Sequence, residues 1–332
     1  MSYRAAIIGC GGMGGNHAAA WQNEAGAAVA AVFDPDAERA AALAEKTGGR
    51  VCTTVEQAVV ETDVDVVSVC TPICFHADVS CLAMAHGRHV LCDKAMALTL
   101  ADADRMIAAS KANGVKLCIS YQHRSLPHYT AYRQLVQDGA FGGPVFARFV
   151  DTREVRPKLA MHSRSMNGGP VLDMAGHFFD LMRFFTGAEP RTVYARGHVF
   201  GADKPRLADV TDPAVDAAEI LVDFEEGHVL SVCVNWGMPE GHPGVTRSEL
   251  VGPVLLARPA EHGAEAVFAD RTETVTPPAD APCGVPARVR DLVTAIETDS
   301  QPEVAGADGR KAMAVCLGAL ASIETGAVEE VA

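Results

Sequence analysis

No run of 18 apolar residues occurs in the chain, so a membrane-spanning helix is not expected. Basic residues are scarce: 28 Lys and Arg face 42 Asp and Glu, a net charge of −14. So acidic a chain repels phosphate backbones and argues against a nucleic-acid partner, though not against a small anionic ligand in a local basic pocket. Charged residues make up only 21%, too few for a disordered chain. Export features are missing too. Met1-Ser2-Tyr3-Arg4 runs straight into Ala5-Ala6-Ile7-Ile8, which is too short for the apolar core of a signal peptide. The ten cysteines contain no C-x-x-C pair and lie mostly inside apolar runs. Reduced, buried thiols in a cytoplasmic protein are expected, not a disulfide framework or a zinc site.

What is present is 332 residues with 48% hydrophobic content. At about 150 residues per domain this makes two domains, each able to bury a core. Short apolar runs at Ala5–Ile8, Ala27–Phe33, Val64–Val69, His89–Cys92 and Lys116–Ser120 alternate with helix-period stretches at Asp36–Lys46, His76–His86 and Ala101–Asn113. Near-continuous apolar strands spaced by helices predict a doubly wound α/β parallel sheet in a first domain, over 1–122. Beyond it, runs at Val145–Val150, Val193–Phe200, Ala217–Phe224, Val229–Asn235 and Ser248–Leu256 read as strands with few helices between them. They predict a mostly antiparallel sheet in a second domain, over 123–332, with one long helix at about Val171–Phe185. The apolar stretch at about 310–323 reads as a helix that packs back on the first domain, and the Pro-rich 274–286 as a surface connection.

Gly9-Cys10-Gly11-Gly12-Met13-Gly14 fits G-x-G-x-x-G directly after the first strand, and Asp34 closes the second strand 20 residues beyond Gly14. Together these form a dinucleotide fingerprint: glycines admit the pyrophosphate and the helix start offers free N–H donors. Asp34 is placed to bond the adenosine ribose hydroxyls and repel a 2′-phosphate, favouring NAD over NADP. Helix capping is the other role for this segment, and Asp36 is free to take it. Arg39 is in principle able to hold a 2′-phosphate, so NAD preference is an expectation to test.

Ligands in such sheets bind outside the carboxyl ends of the strands. Thr71-Pro72 with His76, Cys92-Asp93-Lys94-Ala95 and Tyr121-Gln122-His123-Arg124 all fall there. An ammonium at Lys94 suits a developing alkoxide, although a strand-end lysine or arginine is as a rule a solvated or structural charge. Past Gly168-Gly169-Pro170, Asp173 and His177 stand four residues apart, on one face of the predicted helix. A carboxylate beside an imidazole suits acid/base work, and equally suits a helix-dipole partner and a core histidine. No third ligand appears at convincing spacing, so no metal is expected. Arg153, Arg156, Lys158, His162 and Arg164 form either an anion-seeking cluster or a solvated loop. Asn235 and Trp236 offer a sugar-stacking face or a core tryptophan.

In this order, Gly9–Gly14, Thr71-Pro72 with His76, Cys92-Asp93-Lys94, and Gly168-Gly169 with Asp173 and His177 resemble the glucose–fructose oxidoreductase/inositol dehydrogenase (Gfo/Idh/MocA) family over nearly the whole chain. The resemblance implies an N-terminal Rossmann domain, a C-terminal α/β domain with an open, mostly antiparallel sheet, and hydride transfer between a nicotinamide cofactor and one hydroxyl carbon of a sugar, sugar derivative or cyclitol. It implies Lys94, Asp173 and His177 as catalytic residues, and Gly9, Gly11, Gly12, Met13, Gly14, Asp34, Thr71, Pro72, His76, Asp93 and Lys94 around the cofactor. Lys94, Arg124, Asp173, His177 and Trp236 are the expected substrate contacts, and a homo-oligomer, dimer or tetramer, is expected. Asp93 and Ala95 depart from the family's Glu-Lys-Pro, and Ile73 from its usual asparagine; a cis bond after Lys94 is costly without proline. Two alternatives remain at this level: a glycoside-acting enzyme that uses tightly bound NAD through a 3-keto intermediate, and a non-catalytic dinucleotide sensor.

Overall fold

A computed structural model describes residues 2–279 and 281–332. The chain divides into two compact units, Met1–Gln122 with Pro282–Arg310, and His123–Ala281 with Lys311–Ala332. The second domain expected as one piece over 123–332 is therefore interrupted, and residues 282–310 belong with the first unit.

In the first unit a parallel sheet is built from β1 (Tyr3–Ile8), β2 (Ala27–Phe33), β3 (Arg50–Val51), β4 (Val66–Val69), β5 (His89–Cys92) and β6 (Leu117–Ile119), in the order β3-β2-β1-β4-β5-β6. The helices α1 (Gly12–Asn23), α2 (Ala37–Thr47), α3 (His76–Ala85) and α4 (Leu100–Asn113) link its strands. Strand β4 is buried at every residue, as a sheet covered on both faces requires. Capping sets several helix ends. Asp36 accepts from the N–H groups of Glu38 and Arg39 at the start of α2, and Thr99 caps α4. Asp36 thus takes the capping role expected of it.

Buried Trp21 on α1 donates its indole N–H to the Ser68 hydroxyl on β4 at 2.8 Å. Against it packs a helix over Val285–Glu297, through Val285, Val289, Leu292 and Val293. The Pro-rich reading of 274–286 missed the start of this helix: Pro286 stands in its first turn, where a missing N–H costs nothing.

The second unit holds a nine-stranded sheet. Its strands are β7 (Phe146–Glu154), β8 (Pro190–His198), β9 (Ala217–Phe224), β10 (Val229–Met238), β11 (Val245–Val251), β12 (Leu256–Ala260), β13 (Gly263–Val267), β14 (Thr272–Val275) and β15 (Glu329–Glu330). They run in the order β14-β13-β12-β11-β7-β10-β9-β8-β15. Every pairing is antiparallel except β10 with β7. The single strand expected over Ser248–Leu256 is two strands. Gly252 and Pro253 turn the chain between them, with the Gly252 N–H bonded to the Leu255 carbonyl. Helices α5 (Pro127–Gln137) and α6 (Gly176–Thr186), the latter preceded by a π-helical turn over Val171–Ala175, pack with the sheet.

The C-terminal helix spans Gly306–Thr325. From Lys311 onward it belongs to the second unit, where the Lys311 ammonium pairs with Glu189 and the Ser322 hydroxyl accepts from the Ala195 N–H. The expectation that its whole length packs on the first domain does not hold. Among the described residues no helix is long and apolar enough to cross a membrane.

The tightest point of the first unit is the β1–α1 turn. A Cβ on Gly14 would lie 1.9 Å from the Gly9 carbonyl oxygen, and one on Gly9 would lie 2.6 Å from the Cys70 carbonyl oxygen. Nothing lies within 4 Å of a Cβ built on Gly12. Gly14→Ala is therefore expected to cost about 2 kcal/mol or more by overpacking, while Gly12→Ala costs nothing. Urea unfolding of both variants checks this, and equal midpoints would contradict it.

Candidate active site

The first unit places the glycine loop at the carboxyl end of β1. Gly11 stands at the N-cap of α1, no side chain caps that terminus, and the first turn holds no acidic residue. The leading N–H groups therefore have no side-chain cap, and a Cβ on Gly12 would meet open space. At the end of β2 the Asp34 carboxylate accepts from the Cys10 N–H at 2.7 Å and from the Asp36 N–H at 2.9 Å. These bonds fix its position and leave lone pairs for hydroxyl donors. Burial and Asp34 push the Cys10 thiol up to about 12, so it stays neutral beside the loop. Arg39 is paired with Asp36 at 3.0 Å. An uncapped helix start, room at Gly12 and a fixed carboxylate one strand away fit a dinucleotide's pyrophosphate and ribose.

Two strand ends along the same edge carry the rest. Asp93 donates its N–H to the Val69 carbonyl at 2.9 Å, the last link between the ends of β4 and β5. Lys94 follows, half-buried, and the Lys94–Ala95 peptide is cis although Ala95 is not proline. His76 was expected near the cofactor. Instead its ring is buried, with Nδ1 2.8 Å from the Ala95 carbonyl oxygen and Nε2 2.9 Å from the Thr71 carbonyl oxygen. Both ring nitrogens face main chain of the unit's own fold, so the ring is not available to a ligand. The Asp93 carboxyl is also buried, close enough to His17 and His76 to favour their protonated forms. Desolvation outweighs that pull and holds both imidazoles below their usual range.

In the second unit, Gly168 and Gly169, both at positive φ, lead into the π-helical turn that carries Asp173. Such turns recur at functional sites. Asn167 donates its amide to the Asp173 carboxylate at 2.8 Å. His177, in the first turn of α6, is 2% exposed and stacks on His123 with ring centroids 3.8 Å apart and planes 14° from parallel. The pairing of His123 with His177 was not foreseen. The two residues are 54 apart in sequence, and no local pattern marks the contact.

Two expected substrate contacts are corrected. Arg124 is buried and forks onto Asp180, Nε to Oδ2 at 2.8 Å and Nη2 to Oδ1 at 2.6 Å. Its charge is committed to α6. Trp236 is 1% exposed and donates its indole N–H to Asp151 at 3.2 Å, so it offers no stacking face. The basic cluster also disperses: Arg153 is spent on the same Asp151, and His162 is buried with Nε2 accepting from the Arg156 N–H. Among the described residues no group of three or more potential metal ligands lies together.

Comparison with known proteins gives these geometries a class. Residues 3–121 match the oxidoreductase family with an NAD-binding Rossmann fold, and residues 129–253 match the GFO/IDH/MocA C-terminal domain. The chain belongs to this Gfo/Idh/MocA oxidoreductase family. It is 28% identical over 317 residues to the 1,5-anhydro-D-fructose reductase of Ensifer adhaerens, covering 92% of each chain. It is 31% identical over 230 residues to the inositol 2-dehydrogenase of Rhizobium meliloti, covering 68% of this chain and 67% of that one. The crystal structure of the aldose-aldose oxidoreductase of Caulobacter crescentus complexed with glycerol superposes with a TM-score of 0.84 at 26% identity, covering 99% of this chain and 100% of that one.

A buried ion pair broken on one side leaves an uncompensated charge. Arg124→Ala is expected to lower stability by about 3–5 kcal/mol, and Arg124→Lys to recover only part, because an ammonium cannot replace the fork. Unfolding midpoints report this; a loss below about 1 kcal/mol in the alanine variant would contradict a structural role for the pair.

Proposed function

We propose that this chain is an NAD-dependent dehydrogenase or reductase acting on one hydroxyl carbon of a sugar, sugar derivative or cyclitol. The observation that carries the cofactor half of the reading is the uncapped start of α1 facing open space at Gly12, with Asp34 fixed at the end of β2. The substrate class is supported by the names of the relatives, a fructose-derivative reductase, an inositol dehydrogenase and an aldose oxidoreductase.

Gly11, Gly12 and Met13 hold the pyrophosphate through their N–H groups, and the Asp34 carboxylate accepts from the ribose hydroxyls. A carboxylate there repels a 2′-phosphate, and Arg39, already paired with Asp36, is poorly placed to compensate it. NAD is therefore preferred over NADP. Bound NAD supplies the hydride acceptor. The protein's own groups do the rest. His177 takes the hydroxyl proton, Asp173, steadied by Asn167, orients the imidazole and stabilises the imidazolium that forms, and the Lys94 ammonium stabilises negative charge on the substrate oxygen.

Association into a homo-oligomer, dimer or tetramer, is part of this reading. Its support is the outer face of the second sheet, where Phe146 is 55% and Leu221 46% exposed. All ten cysteines are free thiols, which suits a reducing cytoplasm.

NADH formation by the purified protein across cyclitols, aldoses, uronic acids and glycosides, with NAD and NADP in parallel, tests the reading. Lys94→Ala and His177→Ala are each expected to lower kcat by about two or more orders of magnitude. NAD is expected to give the higher kcat/KM. Near-normal turnover in either variant removes that residue from the mechanism, and equal or better use of NADP overturns the Asp34 argument.

A further inference from the structure

We propose that His76 is a positioning residue for Lys94, donating from Nδ1 to the carbonyl of Ala95 and so setting where the turn after β5 presents the lysine. The proposal rests on the reading of Lys94 as the group that stabilises the substrate oxygen.

The geometry is local to the first unit. The ladder joining β4 and β5 ends at the Asp93 N–H to Val69 bond. Past that bond the two chains separate into Thr71-Pro72 on one side and Lys94-Ala95 on the other. The His76 ring, 1% exposed at the start of α3, stands between them, 2.8 Å from the Ala95 oxygen and 2.9 Å from the Thr71 oxygen. It links the two segments by a side chain just beyond the last paired residues of the strands. Ala95, Met96 and Ala97 beyond it are buried, so the segment is gripped on the far side of Lys94 as well.

A carbonyl oxygen only accepts. A neutral ring therefore bonds one of the two carbonyls, and only the imidazolium bonds both. Burial favours the neutral ring. With one N–H to place, the bond to Ala95 governs the lysine, because that carbonyl belongs to the residue that directly follows Lys94. Asp93, Lys94 and buried His17 are the charged and titratable groups that bear on the His76 ring. The ring's neighbours are thus the lysine's own segment and the underside of α1. A misplacement of about 1 Å at a reacting group is worth up to about a hundredfold in rate, so a bond of this kind is enough to matter.

Two amide substitutions separate positioning from packing. In His76→Asn the amide nitrogen replaces Nδ1 and still reaches Ala95; in His76→Gln it replaces Nε2 and reaches only Thr71. Both remove the ring alike. We expect His76→Asn to keep kcat within about threefold of the parent, and His76→Gln and His76→Phe to lose about tenfold or more, with KM for NAD changed less than about threefold throughout. A second readout needs no substrate: the rate at which Lys94 is acetylated by dilute acetic anhydride, followed by peptide mass mapping against Lys46 and Lys111. It should change in the Gln and Phe variants and not in Asn. Equal kcat in Asn and Gln, or unchanged Lys94 labelling in all three, overturns the proposal. A parent protein that oxidises no sugar or cyclitol refutes the functional reading instead, and the labelling still decides the role of His76.

Discussion

The first unit depends on how closely α1 starts against β1. Hydrogen atoms alone fit where Gly14 meets the Gly9 carbonyl and where Gly9 meets the end of β4. That approach brings Trp21 onto Ser68, seats the helix over Val285–Glu297 on α1, and leaves the leading N–H groups of α1 without side-chain partners. Close packing and an uncapped helix start are thus two results of one contact. The turn is crowded at Gly9 and Gly14 and open at Gly12.

The second unit solves a different problem, the burial of polar groups. Arg124 with Asp180, Asn167 with Asp173, and Asp151 with both Arg153 and Trp236 each satisfy a charge or amide inside the fold. Buried groups of this kind demand partners, and the partners fix side-chain direction. The stacked imidazoles of His123 and His177 sit within this framework, so the ring assigned as proton acceptor has one face covered. Arg124 and Trp236, which the family resemblance offers as substrate contacts, are among the residues that build the frame.

Sequence reading succeeds where the signal is local. The continuous apolar strands, the glycine loop and the Asp36 cap were all visible in short windows, and β2, β5 and β9 fall on the expected residues. It fails where partners are distant. Nothing near Arg124 announces Asp180, 56 residues on, and nothing near Trp236 announces Asp151, 85 residues back. Some misses had a signal. Gly252-Pro253 is a breaker inside the run read as one strand, and Val285, Val289, Leu292 and Val293 keep helix spacing behind the Pro-rich stretch. Strands β13 and β14 had almost none. They are short, and the outermost, Thr-Glu-Thr-Val, is polar as an edge strand tends to be. His76 shows the limit most clearly: the motif marks it as important, and only coordinates show that it holds main chain.

The central claim is that a hydride passes directly between a carbon of the substrate and NAD bound at the start of α1. Incubating the protein and NAD with inositol and aldoses deuterated at carbon, then weighing the reduced cofactor by mass spectrometry, tests it most directly. The account predicts NADH one mass unit heavier than that formed from the unlabelled substrate. Unlabelled NADH, or no reduced cofactor with any member of the set, would contradict it.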